Sequence, residues 1–189
     1  HKGNFQVKGP RVGIGIFDLC SRQSDNSISV KRKKELTGRS WPNGCHVAEV
    51  EIDAESGKVR LDRYVSVDDV GNTVNPMIVQ GQVQGGIASG LGQAVLERTE
   101  YDASGQLLSG SYMDYALPRA DDMPSLSGSL FEKAPCLTNP LGAKGTGEIG
   151  AVAGPPAIVH AVIDALAEKG ITQVDMPLQP HKIWECLNR

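Results

Sequence analysis

Three features of this sequence predict an α+β domain, in which a mixed sheet led by a β-hairpin packs against a Gly-rich helix and an amphipathic C-terminal helix. Residues 45–70 hold two alternating apolar–polar runs around a turn. Residues 76–98 repeat apolar side chains near helical spacing, and residues 155–169 carry one apolar stripe between a Pro-Pro start and a Gly stop. With 189 residues, 40% of them hydrophobic, the chain has material for an ordinary core, and global disorder is excluded.

Residues 1–43 read as an irregular basic segment, with a short apolar patch at 12–17, a polar Ser/Asp/Asn stretch at 21–29 and turn signals in "GRSWPNG". Nine Lys/Arg stand there against three acids, including the run Lys31, Arg32, Lys33 and Lys34, whereas residues 44–189 carry a net charge of −9. A basic arm can bind nucleic acid, but no nucleic-acid motif or aromatic interleaving accompanies this one, so it reads as a solvated loop.

A second domain is expected over 44–189. "CHVAEVEID" (45–53) places Ala48, Val50 and Ile52 on one face, "AESGK" supplies a turn, and "VRLDRYVSVDDV" (59–70) places Val59, Leu61, Val65 and Val67 together. Arg63 interrupts that second face. After the turn "GNTVNP" comes the helix of about 76–98, stabilised by Ile78, Val79, Val83, Ile87, Leu91 and Val95 but holding Gly81, Gly85, Gly86, Gly90 and Gly92. Each glycine costs a helix roughly 1 kcal/mol relative to Ala, so close approach of a backbone or a flat ligand must offset them. Residues 101–126 read as a turn, a short strand and an extended segment, and "SGSLFEKAP" as a further strand. "CLTNPLGAKGTGEIGAVAGPP" (136–156) reads as a binding loop, and the helix after it starts at the Pro155-Pro156 pair and stops at Gly170. A last short helix is expected from about 180, docked by Ile183, Trp184 and Leu187.

Composition excludes several classes. No uncharged apolar run approaches the roughly 20 residues that cross a bilayer, and the first residues lack a signal peptide's layout. Cys20, Cys45, Cys136 and Cys186 are widely spaced, without metal-ligand clustering, and read as free thiols in a reducing, cytoplasmic setting. No metal ligand set is predicted.

The chemistry concentrates in one loop. "GTGEIG" (145–150) matches G-x-G-x-x-G, but a dinucleotide fold needs a strand directly before it and a helix opening within it, and the sequence suggests neither. "GAKGTGE" has the glycine spacing of a phosphate-binding loop, yet Glu148 stands where that loop needs Lys. No serine-hydrolase, zinc-protease or calcium-loop motif occurs. What remains is a carboxylate, Glu148, presented by a loop of small residues before a helix, as a general base is. His160, one turn from Asp164, reads as a paired or half-buried structural residue, and His46 and His181 likewise.

The ordered series "DDVGNTVNPMIVQGQVQGGIASGLGQAVLE" (68–97), "GSYMDYALPRADDMP" (110–124) and "TNPLGAKGTGEIGAVAGPPAIVHAVIDAL" (138–166) closely resembles the C-terminal part of the large subunit of the molybdenum hydroxylases, the xanthine dehydrogenase, aldehyde oxidase and aerobic carbon monoxide dehydrogenase family. The resemblance runs over about 44–189 and implies a C-terminal molybdopterin-binding domain, as a fragment or split subunit. In that family a base deprotonates a water-derived ligand on Mo(VI), the oxygen attacks an electron-poor carbon such as that of an N-heterocycle or aldehyde, and hydride passes to a sulfido ligand. The resemblance makes Glu148 the base. It assigns Gln82, Gly85, Gly86, Lys144, Gly145, Thr146 and Gly147 to the molybdopterin cofactor, in its plain or cytosine dinucleotide form. It also implies an N-terminal remainder of the subunit and partners bearing iron–sulfur clusters and FAD, with a small-molecule substrate. The rival expectation is a non-catalytic assembly module that keeps the fold without cofactor.

Overall fold

A computed structural model describes residues 3–6, 13–33, 35 and 38–188. The chain divides into two compact units, residues 1–35 and 36–189, meeting ahead of the composition boundary at 43/44. The first unit is more regular than its sequence suggests. Strands β1 (Asn4–Gln6) and β2 (Gly13–Gly15) pair antiparallel, and helix α1 (Ile16–Ser21) follows directly. None of the α1 residues is buried. Lys31, Arg32 and Lys33 are exposed outside any regular element, as expected for a solvated run, and Lys34 lies outside the described residues.

The second unit is the α+β domain. Strands β3 (Asn43–Ile52) and β4 (Val59–Asp69) form the expected antiparallel hairpin, and β5 (Leu126–Leu130) lies parallel to β4, giving a mixed sheet of order β3-β4-β5. Gly57 closes the hairpin turn with φ +73°, where a Cβ would also strike the backbone of Pro180 and Trp184. The inner face of β4 departs from expectation. Glu49 pairs with Arg63 and Val50 with Leu61, so Asp62 is an extra residue that bulges the strand. Beyond the bulge the alternation reverses: Tyr64, Ser66 and Asp68 are buried, while Val65 and Val67 face outward.

Helix α2 (Pro76–Leu91) starts at the Asn75 cap, whose side chain accepts from the Ile78 N–H, with Pro76 in its first turn. It continues as a π-helical turn, Gly92–Leu96. The stretch between there and β5 holds one isolated bridge, Tyr101 to Leu107, and a 3-10 turn at Ala120–Asp122, not the short strand expected. Helix α3 (Ile149–Ala165) starts nearly two turns earlier than Pro155-Pro156 suggests, and holds both prolines inside it. Tertiary packing offsets the lost hydrogen bonds. Cβ atoms at Gly86 and Gly90 would lie 2.9 Å from Gly150 Cα and Pro155 Cδ respectively, and one at Gly150 would overlap the Val83 carbonyl oxygen. Glycines on both helices therefore let the two backbones touch, and Gly90 makes room for the Pro155 ring.

This crossing accounts for Gly86 and Gly90 without a ligand. A Cβ at Gly81 or Gly85 would meet nothing within 4 Å. Ile87, Leu91, Ile158 and Val162 from the two helices join Leu61 and Tyr64 of the sheet in one core. Helix α3 gives way to the left-handed Gly170, and α4 (Pro180–Leu187) docks through Ile183 and Cys186, while Trp184 stays 46% exposed. All four cysteines are free thiols. His160 is exposed and makes no bond to Asp164, contrary to the structural pairing expected, because its position lies on the outer face of α3; His181 is exposed too. Among the described residues no helix is long and apolar enough to cross a membrane.

Candidate functional site

The end of β4 and the loop before α3 build one region. Asp69 accepts from the Gly71 N–H at 2.9 Å and from the Lys144 ammonium at 2.5 Å, and the Lys144 N–H donates to the Val70 carbonyl at 2.7 Å. The side chains of Lys144 and Asp69 are only 10% and 12% exposed. The Lys144 ammonium, together with the Gly71 N–H, holds the Asp69 carboxyl below its ordinary pKa. Asn72 adds two bonds across the same seam: its N–H donates to the Gly142 carbonyl at 2.9 Å and its Nδ2 to the Leu141 carbonyl at 2.8 Å. Gly71, with φ +65°, has its α-carbon so near the Gly142 carbonyl that no side chain fits there.

Beyond Lys144 the loop is free of such ties. Among the described residues, Cβ atoms at Gly145 and Gly147 would meet nothing within 4 Å, and the Thr146 hydroxyl oxygen is buried without a hydrogen-bond partner. Glu148 occupies the N-cap of α3, yet its exposed side chain makes no capping bond, so the first-turn N–H groups of that helix have no side-chain acceptor. Residues 145–149 line a cavity of about 540 Å³ together with Trp41, Pro42, Asn43 and His46. That size is typical of small-molecule sites.

His46 is a buried strut in that lining. Its Nδ1 lies 2.8 Å from the Tyr64 hydroxyl and its Nε2 2.8 Å from Asp68 Oδ1, with His46 and Asp68 side chains 2% and 1% exposed. Burial, and then the Asp68 charge, push the Tyr64 phenol far above its ordinary pKa, so Tyr64 keeps its proton in the hydrogen bond it shares with His46 Nδ1.

Of the residues singled out from the sequence, the structure brings Gly145, Thr146, Gly147 and Glu148 to this cavity. Gln82 and Gly85 are exposed on α2 and do not line it, and Gly86 is directed at α3. Lys144 directs its ammonium to Asp69. Sequence reasoning passed over Asp68 and Asp69, whose signal was a pair of acids ending a strand at the turn "GNTVNP". It also kept the helix start apart from G-x-G-x-x-G; α3 does open within 145–150, but the preceding chain makes only the isolated bridge Ala143 to Gly71, so no dinucleotide fold results.

The orphaned Thr146 hydroxyl, the bare glycines on either side of it and the uncapped N-terminus of a 17-residue helix suit a large polar, anionic group. Residues 14–124 match the molybdopterin cofactor-binding domain family. The chain belongs to this family, within the molybdenum hydroxylases. It is similar, at 31% identity over 96% of its length, to the 6-hydroxypseudooxynicotine dehydrogenase complex subunit gamma of Paenarthrobacter nicotinovorans, of which it covers 24%. The carbon monoxide dehydrogenase large chain of Hydrogenophaga pseudoflava is 36% identical over 78% of this chain and 18% of that one. Among solved structures, a Cu,Mo-CO dehydrogenase superposes with a TM-score of 0.85 at 29% identity over 97% of this chain and 24% of its own. Quinoline 2-oxidoreductase from Pseudomonas putida 86 gives 0.73 at 40% identity over 78% and 19%. The chain thus spans about a quarter, or less, of the length of these relatives.

Proposed function

We propose that this chain is the C-terminal portion of the molybdenum-binding subunit of a hydroxylase, completing a site in which Glu148 is the general base. The observation that carries the reading is the placement of Glu148 at the head of α3, on the wall of the 540 Å³ cavity and unspent on capping. Gly145, Thr146 and Gly147 would hold the molybdopterin cofactor through backbone N–H groups and the Thr146 hydroxyl, and Gln82 and Gly85 would approach it from α2. When bound, that group supplies a Lewis-acidic metal and a two-electron sink.

Hydroxylation of a C–H bond with oxygen from water releases two protons and two electrons. Glu148, through a carboxylate oxygen, takes a proton from the water-derived nucleophile as that oxygen attacks the substrate carbon, and passes it on to solvent. The bare backbone at Gly145 and Gly147, ahead of it in the loop, lets the carboxylate approach without a side chain from those positions in the way. The substrate belongs to the N-heterocycle, purine-like or aldehyde class. The rest of the subunit, cytosine in a dinucleotide form of the cofactor, and iron–sulfur and FAD partners in the cytoplasm complete the proposal.

The test is Glu148→Gln in the assembled enzyme. Unchanged molybdenum and pterin content with turnover down by about 10²-fold or more, the scale of general-base catalysis, is expected. Substantial residual turnover would remove Glu148 from the mechanism.

A further inference from the structure

The loop that presents Glu148 is fixed at two points and bare between them. Upstream, Lys144 is the last anchored residue, bonded through its main chain to Val70 and through its ammonium to Asp69. Downstream, Gly150 is wedged against the Val83 carbonyl of α2. Only Gly145, Thr146, Gly147 and Glu148 itself lie between Lys144 and the first residue of α3. The anchors therefore set where the carboxylate stands, because the intervening glycines supply no side-chain contacts of their own.

A lysine in a glycine loop beside an anion site invites assignment as a phosphate ligand, but this one is nine-tenths buried and already paired. Moving it to a phosphate would leave Asp69 charged in a buried setting. We infer that Lys144 and Asp69 form a strut that positions Glu148 and that Lys144 is a positioning residue, not a cofactor ligand. The inference rests on the reading of Glu148 as base. The strut acts through the main chain: it fixes the height of the loop against the end of β4, and a shift of about 1 Å there costs on the order of 10²-fold in rate for a group that must meet a reacting atom.

The experiment uses the assembled enzyme and four variants, Asp69→Asn, Lys144→Met, their double and Lys144→Arg, with molybdenum and pterin content measured alongside kcat and KM. A strut predicts that both single variants keep the cofactor, and that both lower kcat by about 10- to 100-fold with little change in KM. It also predicts that the double variant is no worse than either single one, since the pair acts as a unit. Lys144→Arg, which can still reach Asp69, retains most of the turnover. Loss of cofactor in Lys144→Met while Asp69→Asn keeps it would overturn the strut and make Lys144 a ligand. Full kcat in Asp69→Asn would overturn it as well. Should Asp69→Asn fail to assemble, Lys144→Arg and Lys144→Met still decide: equal cofactor content with kcat lost only in Met supports the strut, and equal kcat in both refutes it. The Glu148→Gln result stands apart, because cofactor content and the double-variant comparison do not depend on which group is the base.

Discussion

The contact between α2 and α3 makes opposite predictions for two sets of glycines in otherwise similar helical settings. At Gly150 an added methyl would overlap the Val83 carbonyl and come within 2.5 Å of the Ile87 N–H nitrogen, both main-chain atoms that cannot rotate away. The helices must part, and overpacking of that kind costs roughly 1–3 kcal/mol, with rigid neighbours putting this site at the upper end. Better helix propensity returns about 1 kcal/mol, leaving Gly150→Ala a net loss of about 2 kcal/mol. At Gly81 the methyl meets nothing within 4 Å. There only propensity acts, and Gly81→Ala gains up to about 1 kcal/mol. For a unit of this size the two variants should shift the thermal midpoint by about −4 to −8 °C and about +2 to +4 °C. Scanning calorimetry on the purified protein measures both, and since Gly81 faces no cofactor-loop residue, the difference isolates the crossing. A Gly150→Ala variant as stable as the parent would refute the claim that bare backbone sets the helix separation.

Asp69 gives a pH prediction. Its carboxyl pKa is lowered in the folded state by Lys144 and by the Gly71 N–H, so its contribution is present above the unfolded value of about 3.9 and is lost as pH falls below that through the folded pKa. Thermal midpoints followed from neutral to about pH 3 should fall more steeply for the parent than for Asp69→Asn, which starts lower; parallel curves would sink the assignment. Tyr64→Phe removes the hydrogen-bond partner of a buried His46 nitrogen and should destabilise by roughly 1–3 kcal/mol, measured by denaturant unfolding. An unchanged midpoint would mean that the hydroxyl does not satisfy His46.

The hairpin was legible because its first strand alternates cleanly, and the end of α3 because Gly170 is an unambiguous stop. The inner face of β4 was not. Val65 and Val67 are as apolar as Val59 and Leu61, so alternation carried them inward, and only Arg63 marked the bulge that turns Tyr64, Ser66 and Asp68 to the core instead. The start of α3 was hidden by Pro155 and Pro156, which follow the rule for a first turn; the glycine contact with α2, formed by residues far apart in sequence, extends the helix ahead of them. The same distance separates legible from illegible parts of the site. Glu148 and its glycines are contiguous and stand out, whereas the bond from Lys144 to Asp69 spans 75 positions and leaves no local pattern.

The glycines also bear on the rival reading of a module that keeps the fold and has lost its cofactor. Folding alone accounts for Gly86, Gly90 and Gly150, where backbones touch, and for Gly71, where a positive φ meets a carbonyl. It does not account for Gly81, Gly85, Gly145 and Gly147, where a methyl would meet nothing within 4 Å among the described residues. On α2 each of the first two costs about 1 kcal/mol relative to Ala, a penalty that a module needing only its own packing would be free to shed by mutation. Gly85 stands next to the crossing residue Gly86, and Gly145 and Gly147 flank the orphaned Thr146 hydroxyl on the cavity wall, where the cofactor reading places its group. Substituting Gly145 or Gly147 by Ala should therefore leave folding intact and lower molybdenum and pterin content in the assembled enzyme; full content in both variants would return the advantage to the assembly module.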